Sequence, residues 1–221
     1  MKKFTKMWAI AACALFAGTA AVNAEDYTWK FVTAGDATTY AIRSDGSLWS
    51  WGWNEKGQGG NGVSERTATP TLADGNRVWK KAVGGKAYGF FLAEDGSLWA
   101  AGTHEGGVQG TNDGIDHKVL TRIGTDNDWA DMACSRFWGY SGFAIKTNGT
   151  LWAWGKNSAG QLGIGNTQAQ TAPVQVGADM DWKQVAAGCS SVLALKTDGS
   201  LWGWGFNMYS ELFGHEGKQL S

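Results

Sequence analysis

The five residues DGSLW occur at 45–49, 95–99 and 198–202, and a softened copy, NGTLW, stands at 148–152. A chain that repeats one short segment at a near-constant interval is built from stacked copies of one unit. A second marker gives the same period. Trp29, Trp79, Trp129 and Trp182 open the similar stretches WKFVTAG, WKKAVGG, WADMACS and WKQVAAG, at spacings of 50, 50 and 53 residues. The tryptophans of the first motif, Trp49, Trp99, Trp152 and Trp202, are 50, 53 and 50 residues apart. Three additional residues therefore fall between Trp129 and Asn148, within ACSRFWGYSG.

Asp-Gly or Asn-Gly between two β-rich runs is a hairpin signal, because the turn needs positive φ, which Gly supplies freely and Asn or Asp tolerate. The pair thus turns a second strand (TTYAIRS, YGFFLAE, GFAIKT, VLALKT) into a third (SLWSWG, SLWAAG, TLWAWG, SLWGWG). The WKQVAAG-type stretch is a first strand, and segments around TPTLAD, VLTRIG and APVQVG form a fourth. No helical period persists after residue 24. Four short strands in about 50 residues, stacked on their neighbours, make the blade of a β-propeller. The expectation is an all-β, partial propeller of about four blades, each a four-stranded antiparallel sheet, bounded roughly at 29–78, 79–128, 129–181 and 182–221. The fourth unit reads as incomplete, stopping after its third strand, which leaves three readings: a piece of a longer propeller, a chain that pairs with another to complete a ring, or a small closed ring.

Of the 14 tryptophans, 11 occupy repeat positions: the four openers, the four after Leu, and Trp51, Trp154 and Trp204 two residues later. Large side chains repeated in register fill the space between blades, so these 11 are expected in the core. Trp53 and Trp138 break the pattern, as does Phe137 in the three-residue insertion. Loops carry function on such scaffolds. The divergent second-unit loop THEGGVQGTNDGIDH, with His104, and the third-unit insertion are the places to look. Trp53, His104, Phe137 and Trp138 are the candidate binding surface.

After the third strand comes WGWNEKGQGGNG at 51–62, and in the third unit WGKNSAGQLGIG at 154–165. Pro70 and Pro173 each stand twelve residues past the loop Gln, and Trp79 and Trp182 nine further on. This pattern resembles the regulator of chromosome condensation repeat family, whose units carry W-G-x-N-x-x-G-Q-L-G-x-G. Trp154, Gly155, Asn157, Gly160, Gln161, Leu162, Gly163 and Gly165 match it. The resemblance spans essentially 29–214 and implies the propeller fold; family propellers usually close with seven blades. Asn157 and Gln161 are expected to cap loop backbone rather than do chemistry. The second unit departs, with Ala101 in the Trp position and no Asn-x-x-Gly-Gln, and the fourth replaces Gly-Gln with Ser210 and Glu211. The founding member's guanine-nucleotide exchange is a remote alternative, because no inserted wedge segment is visible.

The N-terminus reads as an export signal: basic MKKFTK, apolar MWAIAACALFAGTA, and small residues ending at Ala24. Residues 1–24 are the expected signal peptide, leaving 25–221 as the repeat domain, secreted or in the periplasm or cell envelope. Removal takes Lys2, Lys3 and Lys6 and no acid, so the formal charge of −1 becomes −4. An acidic surface excludes phosphate-backbone binding as the main task. No later run is long enough to span a bilayer. Cys134 and Cys189 remain, following the first strands of neighbouring blades, and are either one disulfide or two thiols. His104, His117 and His215 show no metal-ligand spacing, and no nucleophile elbow or phosphate-binding loop is present. TNDGIDH lacks the length and terminal Glu of a calcium loop. The sequence thus points to a non-catalytic scaffold, without cofactor or metal. Its partner is another protein or a second copy that completes the ring; carbohydrate or cell-wall binding through exposed aromatics is the alternative.

Overall fold

In a computed structural model of the chain, which describes residues 28–208, 212 and 218–219, each DG or NG pair turns one strand into the next. Gly46, Gly96, Gly149 and Gly199 lie at φ of 87°, 78°, 82° and 85°, where a side chain would be strained. The rest of the motif is a hydrogen-bond relay. The Asp45 carboxylate accepts from the Ser47 amide at 2.9 Å and the Ser47 hydroxyl at 2.7 Å, and that hydroxyl accepts from the Trp49 indole N–H at 2.8 Å. The relay recurs in Asp95–Ser97–Trp99, Asn148–Thr150–Trp152 and Asp198–Ser200–Trp202. The motif therefore repeats as a unit because every polar residue in it holds the next.

The strands pair in sequence order into four sheets. The first holds β1 (Trp29–Ala34), β2 (Thr38–Arg43), β3 (Leu48–Gly52) and β4 (Thr67–Asp74); the second β5 (Trp79–Gly84), β6 (Tyr88–Ala93), β7 (Leu98–Gly102) and β8 (His117–Arg122). The third holds β9 (Trp129–Cys134), β10 (Ser141–Lys146), β11 (Leu151–Gly155) and β12 (Gln170–Gln175); the fourth β13 (Trp182–Ala187), β14 (Ser191–Lys196), β15 (Leu201–Gly205) and β16 (Lys218–Gln219). The first three sheets are antiparallel throughout. The fourth is incomplete among the described residues, as expected. Lys218–Gln219 returns as a two-residue strand, running parallel to β15 where the other blades have an antiparallel one. The expected signal helix and the cleavage point at Ala24 lie outside the described residues. Among the described residues, no helix is long and apolar enough to cross a membrane.

Each blade has a back, turned to the preceding blade, and a front, turned to the following one. Tyr40, Ile42 and Leu48 on the front of the first blade pack against Trp79, Ala82, Phe91 and Ala101 on the back of the second. Phe90, Leu92 and Leu98 meet Trp129, Met132 and Trp154; Phe143, Ile145 and Leu151 meet Trp182, Val185 and Trp204. Burying these large apolar side chains on both sides of every junction is the main term holding the blades together. A backbone bond accompanies each junction: the opening Trp of the next blade donates its N–H to the turn Gly, Trp79 to Gly46, Trp129 to Gly96 and Trp182 to Gly149, at 2.9–3.2 Å.

The tryptophans sort by position more finely than the sequence suggested. Trp79, Trp129, Trp154, Trp182 and Trp204 are buried. The four motif tryptophans are half-buried beneath a cation, with Arg43, Arg77, Lys146 and Lys196 at 3.7, 4.0, 5.0 and 4.9 Å from the rings of Trp49, Trp99, Trp152 and Trp202. Trp29, expected in the core, is exposed, because it lies on the back of the first blade.

The second blade shows how a departure from the repeat is absorbed. Where Trp154 and Trp204 reach the preceding blade, their indoles donate to the Val108 and Gln161 carbonyls at 2.8 Å. Ala101 cannot do this. Phe91 instead occupies a position that is Ala144 and Ala194 in the next blades, and the Tyr40 hydroxyl donates to the Gln58 carbonyl at 3.0 Å. The aromatic contact survives with its partners exchanged: Tyr40 and Phe91 meet edge-to-face at 5.2 Å, as do Phe90 and Trp154.

Candidate functional site

Alternating strand direction places the β1–β2 and β3–β4 types of connection at one end of the molecule, and the DG turns at the other. At the first end the long loops are built from their own polar side chains. Asn157, fully buried, accepts from the Leu162 amide at 2.9 Å and donates to the carbonyls of Asn166 and Gln168 at 2.8 and 3.1 Å; Gln161 accepts from the Ala159 amide. Asn54 and Gln58 repeat this in the first blade. Gly155, at φ 98°, lies against the Tyr140 carbonyl, which leaves no room for a side chain. The second blade, lacking that Asn, holds its loop with Gln109, which donates to the Gly102 and Thr103 carbonyls, and with Asp116, which accepts from the His104 amide at 2.9 Å.

The loop between β9 and β10, Ser135–Tyr140, carries the three additional residues and draws on all four blades. Arg136 donates its backbone N–H to the Gly188 carbonyl of the fourth blade at 3.0 Å. The Phe137 amide faces the Asp36 carboxylate of the first at 3.5 Å. The Lys86 ammonium of the second stands 2.7 Å from the Trp138 ring centre. Phe137 and Tyr140 hold φ of 52° and 45°, a region that bulky residues avoid and that is kept only where surroundings over-determine it. The outcome is two aromatic side chains, Phe137 and Trp138, that are 60% and 61% exposed on a constrained loop. Behind them Tyr140 is packed against Trp138 and Tyr88, and burial with the nearby Glu105 carboxylate pushes its hydroxyl up to about 12. It stays a neutral donor at ordinary pH.

Trp53 and His104 lie at the same end. The Trp53 amide donates to the Ala37 carbonyl at 2.8 Å, and its ring is half-buried. The exposed His104 imidazole meets Asp116 at 2.7 Å, with Lys56 on the other Asp116 oxygen at 3.4 Å. A cleft beside His104 has a volume of about 100 Å³, well under the ~300 Å³ at which small-molecule sites begin. An open depression of about 360 Å³ at the opposite end includes Asp181, whose carboxylate is bound to Lys196 at 3.0 Å.

Asp36, Lys86 and Tyr140 were not singled out from sequence. A signal existed: Asp36, Lys86, Arg136 and Cys189 are the same repeat position, and three of the four are charged in an otherwise small-residue turn. Of the two states left open for the cysteines, the structure has two thiols: Cys134 and Cys189 are both free. Cys134 closes β9 facing the second and third blades' core, where burial pushes its thiol up to about 12, whereas Cys189 is exposed in the turn after β13.

Sequence comparison matches 45–92 and 148–195 to the regulator of chromosome condensation (RCC1) repeat, and 29–58 to a second description of the same repeat, together more than half of the chain. The chain belongs to the RCC1 repeat family. The ultraviolet-B receptor UVR8 of Arabidopsis thaliana is 30% identical over 163 residues, covering 72% of this chain and 37% of that protein. Human protein RCC2 is 27% identical over 150 residues, covering 66% and 19%. Yeast RCC1 (Prp20), solved with Kap60 bound, superposes with a TM-score of 0.74 at 22% identity, over 87% of this chain and 47% of that one. The chain thus spans less than half the length of each of these relatives. The RCC1 repeats account for the Asn and Gln loops and the Trp-Gly strand ends, which are scaffold. The β9–β10 insertion is additional to them.

Proposed function

We propose that this chain is an exported, non-catalytic scaffold that binds a protein partner through the end bearing Phe137 and Trp138. The observation that carries the reading is the β9–β10 loop. Two large aromatics are held outward on a loop tied to four blades, so little ordering entropy remains to be lost on binding. Exposed Trp and Phe side chains are enriched at protein interfaces, Trp above all at their hot spots. Solved yeast RCC1 with Kap60 bound shows that a protein of this fold has a protein partner, which supports the same class here. A glycan-binding platform needs an open aromatic face, and the Lys86 ammonium takes one face of Trp138.

A photo-crosslinking residue in place of Trp138, in cells that produce the chain, tests this. The expected result is a protein adduct that disappears when Phe137 is also changed to Ala. Adducts with envelope polysaccharide alone refute it in favour of the carbohydrate reading. Export is tested separately by sequencing the mature N-terminus, expected at Glu25; an N-terminus at Met1 refutes it.

A further inference from the structure

We propose that the cleft between the second-blade loop and β12 receives the ammonium tip of a lysine side chain from the protein partner. This rests on the scaffold reading, since the cleft lies at the same end as Phe137 and Trp138, and it names a second chemical group that such a partner presents. All walls of the cleft belong to the second and third blades.

Gln109 is the residue that sets this cleft apart. In the third blade the loop Asn is satisfied on both sides: the Asn157 carbonyl accepts from Leu162, and its NH2 donates to Asn166 and Gln168. The second blade has no such Asn, and Gln109 serves instead, donating from Nε2 to the Gly102 and Thr103 carbonyls. Only the NH2 side of an amide can face two carbonyls, which fixes the orientation of the group. Its Oε1 is left without a donor, on a side chain that is 2% exposed and that lines the cleft. A buried acceptor with no partner carries a desolvation cost that an incoming donor removes.

Shape and charge agree with that vacancy for a donor. The second-blade wall is bare backbone at Gly106, Gly107, Gly110 and Gly114, all at positive φ between 66° and 80°, and Thr171 on β12 closes the other side. A volume of about 100 Å³ accommodates an ammonium and the methylenes behind it, but not a whole small molecule. The loop carries Glu105, Asp113 and Asp116. Partial burial works against their ionisation, but hydrogen bonds from Thr111 and the Ile115 amide to Asp113, and from the His104 amide and ring to Asp116, hold those two carboxyls below the usual range. Against these three carboxylates stand two ammonium groups, Lys56 on Asp116 at 3.4 Å and Lys156 beside Gly106, so one negative charge is left over with both histidines neutral. A lysine brings three donors on a slender flexible stem, where an arginine brings a planar fork matched to a carboxylate or phosphate; a narrow cleft with one amide oxygen suits the lysine. The cleft is also continuous with the aromatic loop: the Tyr140 hydroxyl bonds Glu105, and Tyr140 packs on Trp138 at 6.4 Å. One partner segment can therefore lay an apolar residue on Phe137 and Trp138 and a lysine in the cleft.

The test is a titration of the 15N-labelled protein with N-acetyl-lysine methylamide, followed by NMR. N-acetyl-norleucine methylamide, the same side chain without the ammonium, is the control. The expected result is a saturable shift of the Gln109 side-chain amide and of the Gly106, Gly107 and Gly110 amides, with an affinity for the lysine compound at least ~10-fold above that for the control. Gln109→Leu removes the acceptor, and Thr171→Phe fills the cleft from an exposed position on β12; each should abolish the shifts. A cleft that holds only water gives no shift and overturns the proposal. An equal response to both compounds overturns it as well, and so do shifts at these residues that survive Thr171→Phe. The wild-type titration does not depend on whether either variant folds. It also needs no partner, so it fails separately from the crosslink at Trp138.

Discussion

The exchange of aromatic partners at the junction between the first two blades yields a quantitative prediction about the next one. Trp154 is fully buried between the second and third blades, and its indole holds the Val108 carbonyl at 2.8 Å. Trp154→Ala removes an aromatic core side chain, which costs ~3–5 kcal/mol. It also leaves a buried carbonyl without its donor, which adds ~1 kcal/mol or more. The sum, about 4–6 kcal/mol, is a large share of the 5–15 kcal/mol typical of a domain. The chain already contains the remedy. Where Ala101 replaces this Trp, Phe91 fills the gap and Tyr40 supplies the hydroxyl. The equivalent positions at the next junction are Ala144 and Phe90. The triple variant Trp154→Ala, Ala144→Phe, Phe90→Tyr should therefore recover at least half of the lost stability. Urea unfolding followed by circular dichroism gives both numbers from one series. A triple variant no more stable than Trp154→Ala would refute the argument that the two junctions are alternative solutions to one packing problem.

Further outcomes follow from the loops, turns and thiols. Asn157→Ala strips the Leu162 amide and the Asn166 and Gln168 carbonyls of their partner and should cost at least ~2 kcal/mol in the same urea assay. The Ser47 and Ser97 hydroxyls and amides hold the Asp45 and Asp95 carboxyls below the usual range. A pKa lower folded than unfolded gives stability that is fully present above about pH 4 and lost as pH falls through the folded value. Asp45→Asn with Asp95→Asn, copying Asn148, should leave the neutral-pH melting temperature nearly unchanged and flatten its decline in acid; an unchanged acid slope counts against the relay. Of Cys134 and Cys189, only Cys189 should react with a thiol reagent in the native state, Cys134 following on unfolding.

The fold was legible in the sequence because its determinants are local and written four times. DG fixes the hairpin, Leu and Trp fix the two faces of the third strand, and the interval fixes the blade. The relay from Asp45 through Ser47 to Trp49 was present in the same five letters. Strand periodicity reads alternate faces and is silent on bonds between neighbours two residues apart, so the reason for the Ser was missed. The exposure of Trp29 was equally invisible, since its repeat position is identical to that of Trp79 and only its place at the first blade distinguishes them. The short parallel strand at Lys218–Gln219 has no β-rich run to announce it.

The candidate site was half legible for a related reason. A break in a repeat marks where something other than stacking is selected, and the three additional residues led directly to Phe137 and Trp138. What holds them came from elsewhere: Asp36, Lys86 and Gly188 lie on three other blades, 101, 52 and 52 residues from their partners by residue number.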